Sequence, residues 1–454
     1  MTAPGKDRLA DADALGSRGV GSRPTGSGDQ AAGDAVLTTA DEARPIRPVG
    51  AGFITGYTLA QMGAYIAFIP LFQILLPLQA MAIDPVHKAE MFSRIALPGA
   101  VMAGAANLMA GAISDRTTSR LGRRRPWLLA GLAGTLIAYA LIHAAHSAAQ
   151  LLAGVLVFQL TFNFLFAALL ALVADRVPDR QKGLVSALMG LGLPAGNIVG
   201  TVLIGGLVEG GTLRFLVLGA IVAAAIAPFT IRLSDPPLAR EDVPHARLGE
   251  LIASLWVDPR RHPDFALAWL GRVLVITAVS LIQAYMLFYL QDAVGYGRIF
   301  PGQRAEQGLA FLTAIWTVAN LASGLACGLA SDRLGRRKAF TCLGALTVGA
   351  AVLGFALAPT WPAVMACYVL YGCGAGCYYA VDIALITQVL PSLRTAGKDL
   401  GVINLSNTLP QVIAPALGVW FLRSAHADFR SLFLVAAAGG VAGALVILPI
   451  RKVR

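Results

Sequence analysis

The chain has 454 residues, 56% of them hydrophobic and 13% charged, with a mean hydropathy of +0.68. Soluble domains keep about 25% of their residues charged, so half that share excludes a string of soluble domains and points to lipid as the solvent. The net charge of +11 does not describe a phosphate-binding face, because the basic residues cluster in short loops between apolar runs, and no nucleic-acid partner is expected.

Residues 1–48 hold Gly, Ser, Ala and Asp, charges of both signs, and no apolar run behind a basic start. A disordered cytosolic tail without a cleaved signal is expected there. Apolar runs of about 20 residues follow, each long enough for one crossing, and about twelve helices are expected. In the first half they fall at 51–79, 93–113, 127–146, 150–174, 183–208 and 214–231. In the second they fall at 265–291, 306–330, 339–358, 362–390, 401–422 and 430–450. The expected fold class is an all-α integral membrane protein of two six-helix bundles, at 49–231 and 265–454, joined by a cytoplasmic linker at 232–264. The linker carries Pro236, Pro237, Pro244, Pro259 and Pro263, and its stretch from Leu248 to Val257 is amphipathic enough to lie along a membrane surface.

Lys and Arg concentrate in alternate loops. Arg116, Arg120, Arg123, Arg124 and Arg125 share one, and Arg333, Arg336, Arg337 and Lys338 another; the opposite loops hold fewer, among them Lys88, Arg214, Arg298 and Arg304. The positive-inside rule then puts both termini in the cytoplasm. Arg far outnumbers Lys, and Ala and Gly abound, which fits a GC-rich bacterial source and a plasma-membrane location. All five cysteines fall in expected spans of the second half. Cys373 and Cys377 share a helix face, yet no further ligand completes a metal set, so neither a metal nor a cofactor is expected.

The halves repeat each other. Gly111-Ala-Ile-Ser-Asp115-Arg116 matches Gly328-Leu-Ala-Ser-Asp332-Arg333, and Leu121-Gly-Arg-Arg-Arg125 matches Leu334-Gly-Arg-Arg-Lys338, with Thr117 to Arg120 extra in the first copy. Downstream, Ala171-Leu-Val ahead of Pro178 lines up with Ala384-Leu-Ile ahead of Pro391. Such duplication marks secondary transporters, whose halves rock about a central site.

The loop from Gly111 to Pro126 resembles the signature loop of the major facilitator superfamily, between its second and third helices. The inserted Thr117 to Arg120, with Ala380-Val-Asp382 and Gly397-Lys398-Asp399-Leu-Gly401, resembles the sucrose-transporter and glycoside–cation symporter branch. The resemblance implies a conformational latch of Gly111, Asp115, Arg116, Gly122, Arg123 and Arg124 in the first copy, and of Asp332, Arg333, Gly335 and Arg336 in the second. Asp115 would hold the eleventh helix, and Asp332 the fifth, while the cavity faces outward. A carboxylate beside a helix N-terminus gains about 0.3–1 kcal/mol. The arginines would also enforce topology.

An ionised side chain at the bilayer centre costs about 2.5–3.5 kcal/mol, so each needs a reason. Arg272 in the seventh expected helix and Asp382 in the tenth lie at similar depth. A buried pair is expected, with Asp382 accepting a coupled proton; a permanent structural salt bridge is the alternative. Substrate contacts are expected from Gln61 and Tyr65 on the first helix, Asn163 on the fourth, Gln283 and Tyr285 on the seventh, Tyr379 on the tenth, and Asn404 and Asn407 on the eleventh. Amides suit hydroxyls and aromatic faces suit sugar rings, although the same side chains also glue transmembrane helices together. Gln73 on the first helix belongs to the same set. Sodium-coupled members of the branch carry acids on the second helix, and residues 93–113 hold none, which favours protons.

The expected function is secondary active transport by alternating access, as proton-coupled uptake of a sugar or similar small polar solute by a monomer in the bilayer. Proton-antiport export of drug-like or secondary metabolites is the alternative. Leu193-Pro194-Ala195-Gly196 departs from the Gly-Pro pattern such exporters carry on the fifth helix. A non-transporting membrane sensor is a third possibility. An enzyme is not expected, since no Ser–His–Asp, metal or phosphate-loop constellation appears at usable spacing.

Overall fold

The computed structural model describes residues 48–237, 259–389, 396–423 and 428–450, apart from the side chains of Asp179, Ile383, Thr387 and 396–404. The expected tail, the stretch from Leu248 to Val257 and the side chain of Asn404 therefore lie outside the described residues.

Lipid offers no partner to a peptide N–H or C=O, so each apolar run closes its hydrogen bonds within a helix. The helices of the first half are α1 (Ala51–Ile83), α2 (Lys88–Asp115), α3 (Arg125–His143), α4 (Ala148–Arg176), α5 (Arg180–Leu207) and α6 (Gly211–Arg232). Those of the second are α7 (Pro263–Asp292), α8 (Ala305–Leu334), α9 (Arg337–Leu357), α10 (Trp361–Gln388), α11 (Ala396–Phe421) and α12 (Phe429–Ile447). Eleven described helices are long and apolar enough to cross a membrane, and α11, with 26 residues, stands where the remaining span is expected. Among the described residues there is no β-strand, only an isolated bridge between Ser119 and Gly122. Besides α11, which begins at Ala396 rather than 401, the main departure from the expected bounds is α2, which begins at Lys88 rather than 93. Hydropathy rejects its first turns, but Lys88 pairs with Asp292 at 2.7 Å and Glu90 with Arg94 at 2.6 Å, so the charges there are met.

Large side chains such as Tyr57, Phe158, Tyr285 and Phe433 are fully buried, while Leu207, Val318, Leu325 and Trp420 stand exposed on the outside. An apolar exterior around a well-packed interior is what a lipid solvent permits. Each half is tied internally by a tyrosine: Tyr139 of α3 donates to the Ala67 carbonyl at 2.7 Å, and Tyr289 of α7 to that of Phe355 in α9 at 2.7 Å.

Two helices depart from regular α geometry. Pro70 lacks an N–H, and α1 widens into a π-helical turn over Leu71–Leu75 just beyond it; α5 does so over Ile198–Leu207. The two lie close because α5 turns small residues to α1. A Cβ at Gly192 would sit 2.2 Å from the Tyr65 ring, and one at Gly196 3.0 Å from the Tyr65 carbonyl oxygen. Helix ends gather at two ends of the bundle. Lys88, Arg214, Asp292 and Glu306 mark one, Asp115 and Asp332 the other.

Candidate functional site

At the Asp115 end, the α2–α3 loop is a knot of charge. Asp115 accepts from Arg123 at 2.8 Å and pairs with Arg124 at 2.6 Å; Arg124 also reaches Asp175 at 2.8 Å and the Ser114 hydroxyl. Burial works against the Arg124 charge, but the Asp175 and Asp115 carboxylates outweigh it, so the guanidinium holds its proton more firmly than usual. Asp235, just past α6, accepts from the N–H groups of Arg124 at 2.5 Å and Arg125 at 2.9 Å, capping α3. Gly122 lies beneath it with φ +105°, and a Cβ there would come 2.3 Å from the Asp235 carbonyl oxygen. Glycine is required at that turn twice over.

The second copy repeats this geometry in looser form. Gly335, aligned with Gly122, also has positive φ, at +61°. Arg125 donates to the Ile231 carbonyl of α6 at 2.8 Å; the aligned Lys338 donates to those of Leu448 and Ile450, beyond α12, at 3.2 and 3.1 Å. Basic residues thus close the C-terminal end of the sixth helix in each half. Asp332 meets, among the described residues, Arg337 at 3.4 Å, and its side chain is 71% exposed. Among the described residues, the ion pairs of Asp115 and Asp332 stay within their own halves.

At the Lys88 end the contacts cross instead. Lys88 of α2 reaches Asp292 and, at 3.0 Å, Gln291 of α7. Arg214 of α6 meets Glu306 of α8 at 3.4 Å, both buried, and Arg304 meets Glu209 at 3.4 Å. Deeper, the Ser93 hydroxyl of α2 lies 2.7 Å from that of Tyr285 in α7. A Cβ at Gly418 of α11 would fall 1.8 Å from the Tyr285 hydroxyl. These contacts form a seal between the halves.

Between the two ends lie two buried polar sites. Arg272 and Asp382 are paired across α7 and α10, and Arg272 also donates to Asn407 of α11 at 2.9 Å. Nearer the seal, a cavity of ≈ 20 Å³, room for about one water, opens between the halves. Gln73 and Asn197 line it from the first half; Gln283, Trp316, Tyr368 and Tyr371, with Leu309 and Thr313, line it from the second.

The family model described as Major Facilitator Superfamily matches residues 53–303 and 302–454. The chain belongs to the Major Facilitator Superfamily. It is a multi-pass membrane protein of that family. An uncharacterized MFS-type transporter, C18.02, of Schizosaccharomyces pombe is 26% identical over 185 residues, 40% of this chain and 40% of its own. The multidrug resistance protein MdtL of Escherichia coli O81 is 31% identical over 179 residues, 39% of this chain and 45% of that one. The chain thus spans less than half the length of these curated relatives. Among solved structures, the nucleoside transporter NupG superposes with a TM-score of 0.66 at 12% identity, over 88% of this chain and 99% of that one. A point mutant of the peptide transporter POT in complex with alafosfalin gives 0.68 at 11%, over 89% and 96%. At such identities the likeness is one of fold.

Within this superfamily fold the residues singled out from sequence scatter. Gln283 lines the cavity. Gln61 is buried on α1 with neither amide atom partnered among the described residues, and Tyr65 packs edge-on to Phe166 and against Gly192. The Asn163 amide donates to the Gln159 carbonyl at 2.7 Å, Tyr285 belongs to the seal, Tyr379 packs on Tyr378, and Asn407 serves Arg272. Gly111 has open space about it. Asn197, Trp316, Tyr368, Tyr371 and the capping Asp235 were not singled out. The aromatics sit in apolar runs where core and cavity look alike, and Asp235 acts through the turn after α6, which no spacing announces.

Proposed function

We propose that this transporter couples proton movement through Asp382 to uptake of a sugar or similar small polar solute, acting as a monomer with both termini in the cytoplasm. The observation that carries the reading is the buried Arg272–Asp382 pair with Asn407 beside it. A proton arriving on Asp382 cancels its charge and leaves Arg272 held by Asn407, so the arginine can turn to a second acceptor. An ion pair buried at this depth needs each partner for the other's charge, which makes protonation a switch rather than a small perturbation. The basic loops put the Asp115 end in the cytoplasm. On that orientation the seal lies outside, and the structure corresponds to a state closed to the exterior with its signature-loop aspartates paired within their halves. The loop insert and the segment from Ala380 to Gly401 support the sucrose and glycoside–cation branch.

The test is uptake of labelled sugars into proteoliposomes under an imposed inward proton gradient, wild type beside Asp382→Asn. Accumulation that the mutant loses while keeping downhill exchange is expected. Full uphill accumulation by the mutant would remove Asp382 as the coupling site. The likeness to MdtL supports a second reading, export by proton antiport. Uptake of hydrophobic cations by inverted vesicles, with no sugar transported in either direction, would favour it.

A further inference from the structure

The cavity below the seal has an unusual chemistry for so small a space. The Nδ2 of Asn197 and the Nε1 of Trp316 are N–H donors with no acceptor among the described residues, and Asn197 and Trp316 are 2% and 5% exposed. The other end of the Asn197 amide is occupied, since its Oδ1 accepts from Gln73 at 3.1 Å. That bond fixes the amide so that its donor is the free group. An indole N–H can only donate. An unmet buried donor carries a desolvation penalty that a ligand acceptor would remove. Around these donors the walls are aromatic. Trp316 lies 5.8 Å from Tyr371 at 33°, and Tyr368 stands 5.8 Å from Tyr371 at 84°. None of the lining residues carries a carboxylate, an ammonium, a guanidinium or an imidazole.

We infer that this cavity is the recognition site for an uncharged solute that carries a flat or ring-shaped face and at least two hydrogen-bond acceptors. Resting on the transport reading above, it names the chemistry of what is carried. Asn197 from the first half and Trp316 from the second would each donate to an acceptor on one solute, so binding bridges the two bodies that must move together. The aromatic walls take the ring face, through contacts that favour offset or edge-to-face geometry. A net charge on the solute would have no counter-ion here, and its desolvation cost would go uncompensated. The space seen is too small for a ring, so entry requires α1 and α5 to part from α8 and α10, the motion that alternating access supplies. Selectivity then follows from residues of both halves at once.

Binding is measured on the purified full chain by thermal stabilisation and by tracer displacement, without any proton gradient, so failure of the coupling reading does not touch the result. The probes are uridine and methyl glucoside, with uridine 5′-monophosphate and glucose 6-phosphate as charged counterparts on the same rings. At least one neutral probe is expected to bind and its phosphate to bind at least 10-fold more weakly. Trp316→Phe keeps a ring and removes the donor, and should weaken that binding about 3- to 10-fold; Asn197→Leu should do the same. Gln283→Leu, also on the lining, serves as a further variant if either fails to fold. Equal or tighter binding of the phosphates, no binding of either neutral probe, or unchanged affinity in folded Trp316→Phe and Asn197→Leu would overturn the inference and return these donors to a structural role.

Discussion

The two ends of the bundle carry similar charges and use them in opposite ways. At the Lys88 end the acids and bases face each other across the halves, with Lys88 on Asp292 and buried Arg214 on Glu306. At the Asp115 end they are used within each half, Asp115 on Arg123 and Arg124, Asp332 on Arg337. On the alternating-access reading proposed above, the halves cannot be tied at both ends at once, so where the ion pairs cross tells which end is shut. Ion pairs suit that task. A buried pair adds little net stability over alternatives, because desolvation offsets attraction, yet either charge left alone is strongly penalised. The closed end is therefore specific without being permanent.

The sharpest way to break the contrast is to orphan one buried seal charge. Arg214→Ala leaves Glu306 buried without its partner, which should destabilise the closed end by about 3–5 kcal/mol. The expected readout is faster labelling of Ser93→Cys by an impermeant maleimide in the Arg214→Ala background than in its absence. Exchanging the charges, Arg214→Glu with Glu306→Arg, should restore protection. Unchanged labelling would mean that the apolar contacts alone hold the seal.

A smaller effect is expected where the seal is steric rather than electrostatic. Gly418 is crowded by the Tyr285 and Ser93 hydroxyls, 1.8 and 2.6 Å from where a Cβ would sit. Gly418→Ala should cost about 1–3 kcal/mol by overpacking, and should do so in the closed state, since two helices of the second half and one of the first meet there. Trapping with the outer end open is the expected outcome, read as lost transport with retained folding and raised labelling at Ser93→Cys. Gly192→Ala, which clashes with Tyr65 inside one half, should lower thermal stability without raising that labelling.

Much of this architecture is legible in the sequence, and the reasons differ by element. Helix number and extent follow from hydropathy because lipid enforces backbone closure. The start of α2 escapes that logic, since Lys88 and Glu90 look like loop until their partners are seen. The repeat of the signature loop predicts the shared roles of Arg125 and Lys338, and of Gly122 and Gly335, without revealing what they touch. The approach of Arg272 to Asp382 follows from depth along two helices, because an isolated charge there needs a partner. Of the cavity, Gln73 and Gln283 were legible as candidate contacts, and the aromatic walls were not. Its walls are Trp316, Tyr368 and Tyr371, whose place in an apolar run fits lipid, core and ligand equally, and only the fold turns them together.

The smallest expected effect separates the two signature-loop aspartates. Asp332 meets one arginine at 3.4 Å with its side chain 71% exposed, so Asp332→Asn should change stability in this conformation by less than about 0.5 kcal/mol. Asp115 is 44% exposed but holds two arginines, at 2.8 and 2.6 Å, one of them with a side chain only 4% exposed. Asp175 keeps Arg124 paired when Asp115 is replaced, which limits the loss to about 1 kcal/mol in Asp115→Asn. Thermal unfolding in detergent, both variants beside wild type, checks the difference. Transport supplies the contrast. If both aspartates hold the opposite half when the outer end opens, both variants lose transport to a similar degree despite unequal melting. If Asp332→Asn melts and transports like wild type while Asp115→Asn fails in both, the second copy retains the loop's shape without its latch.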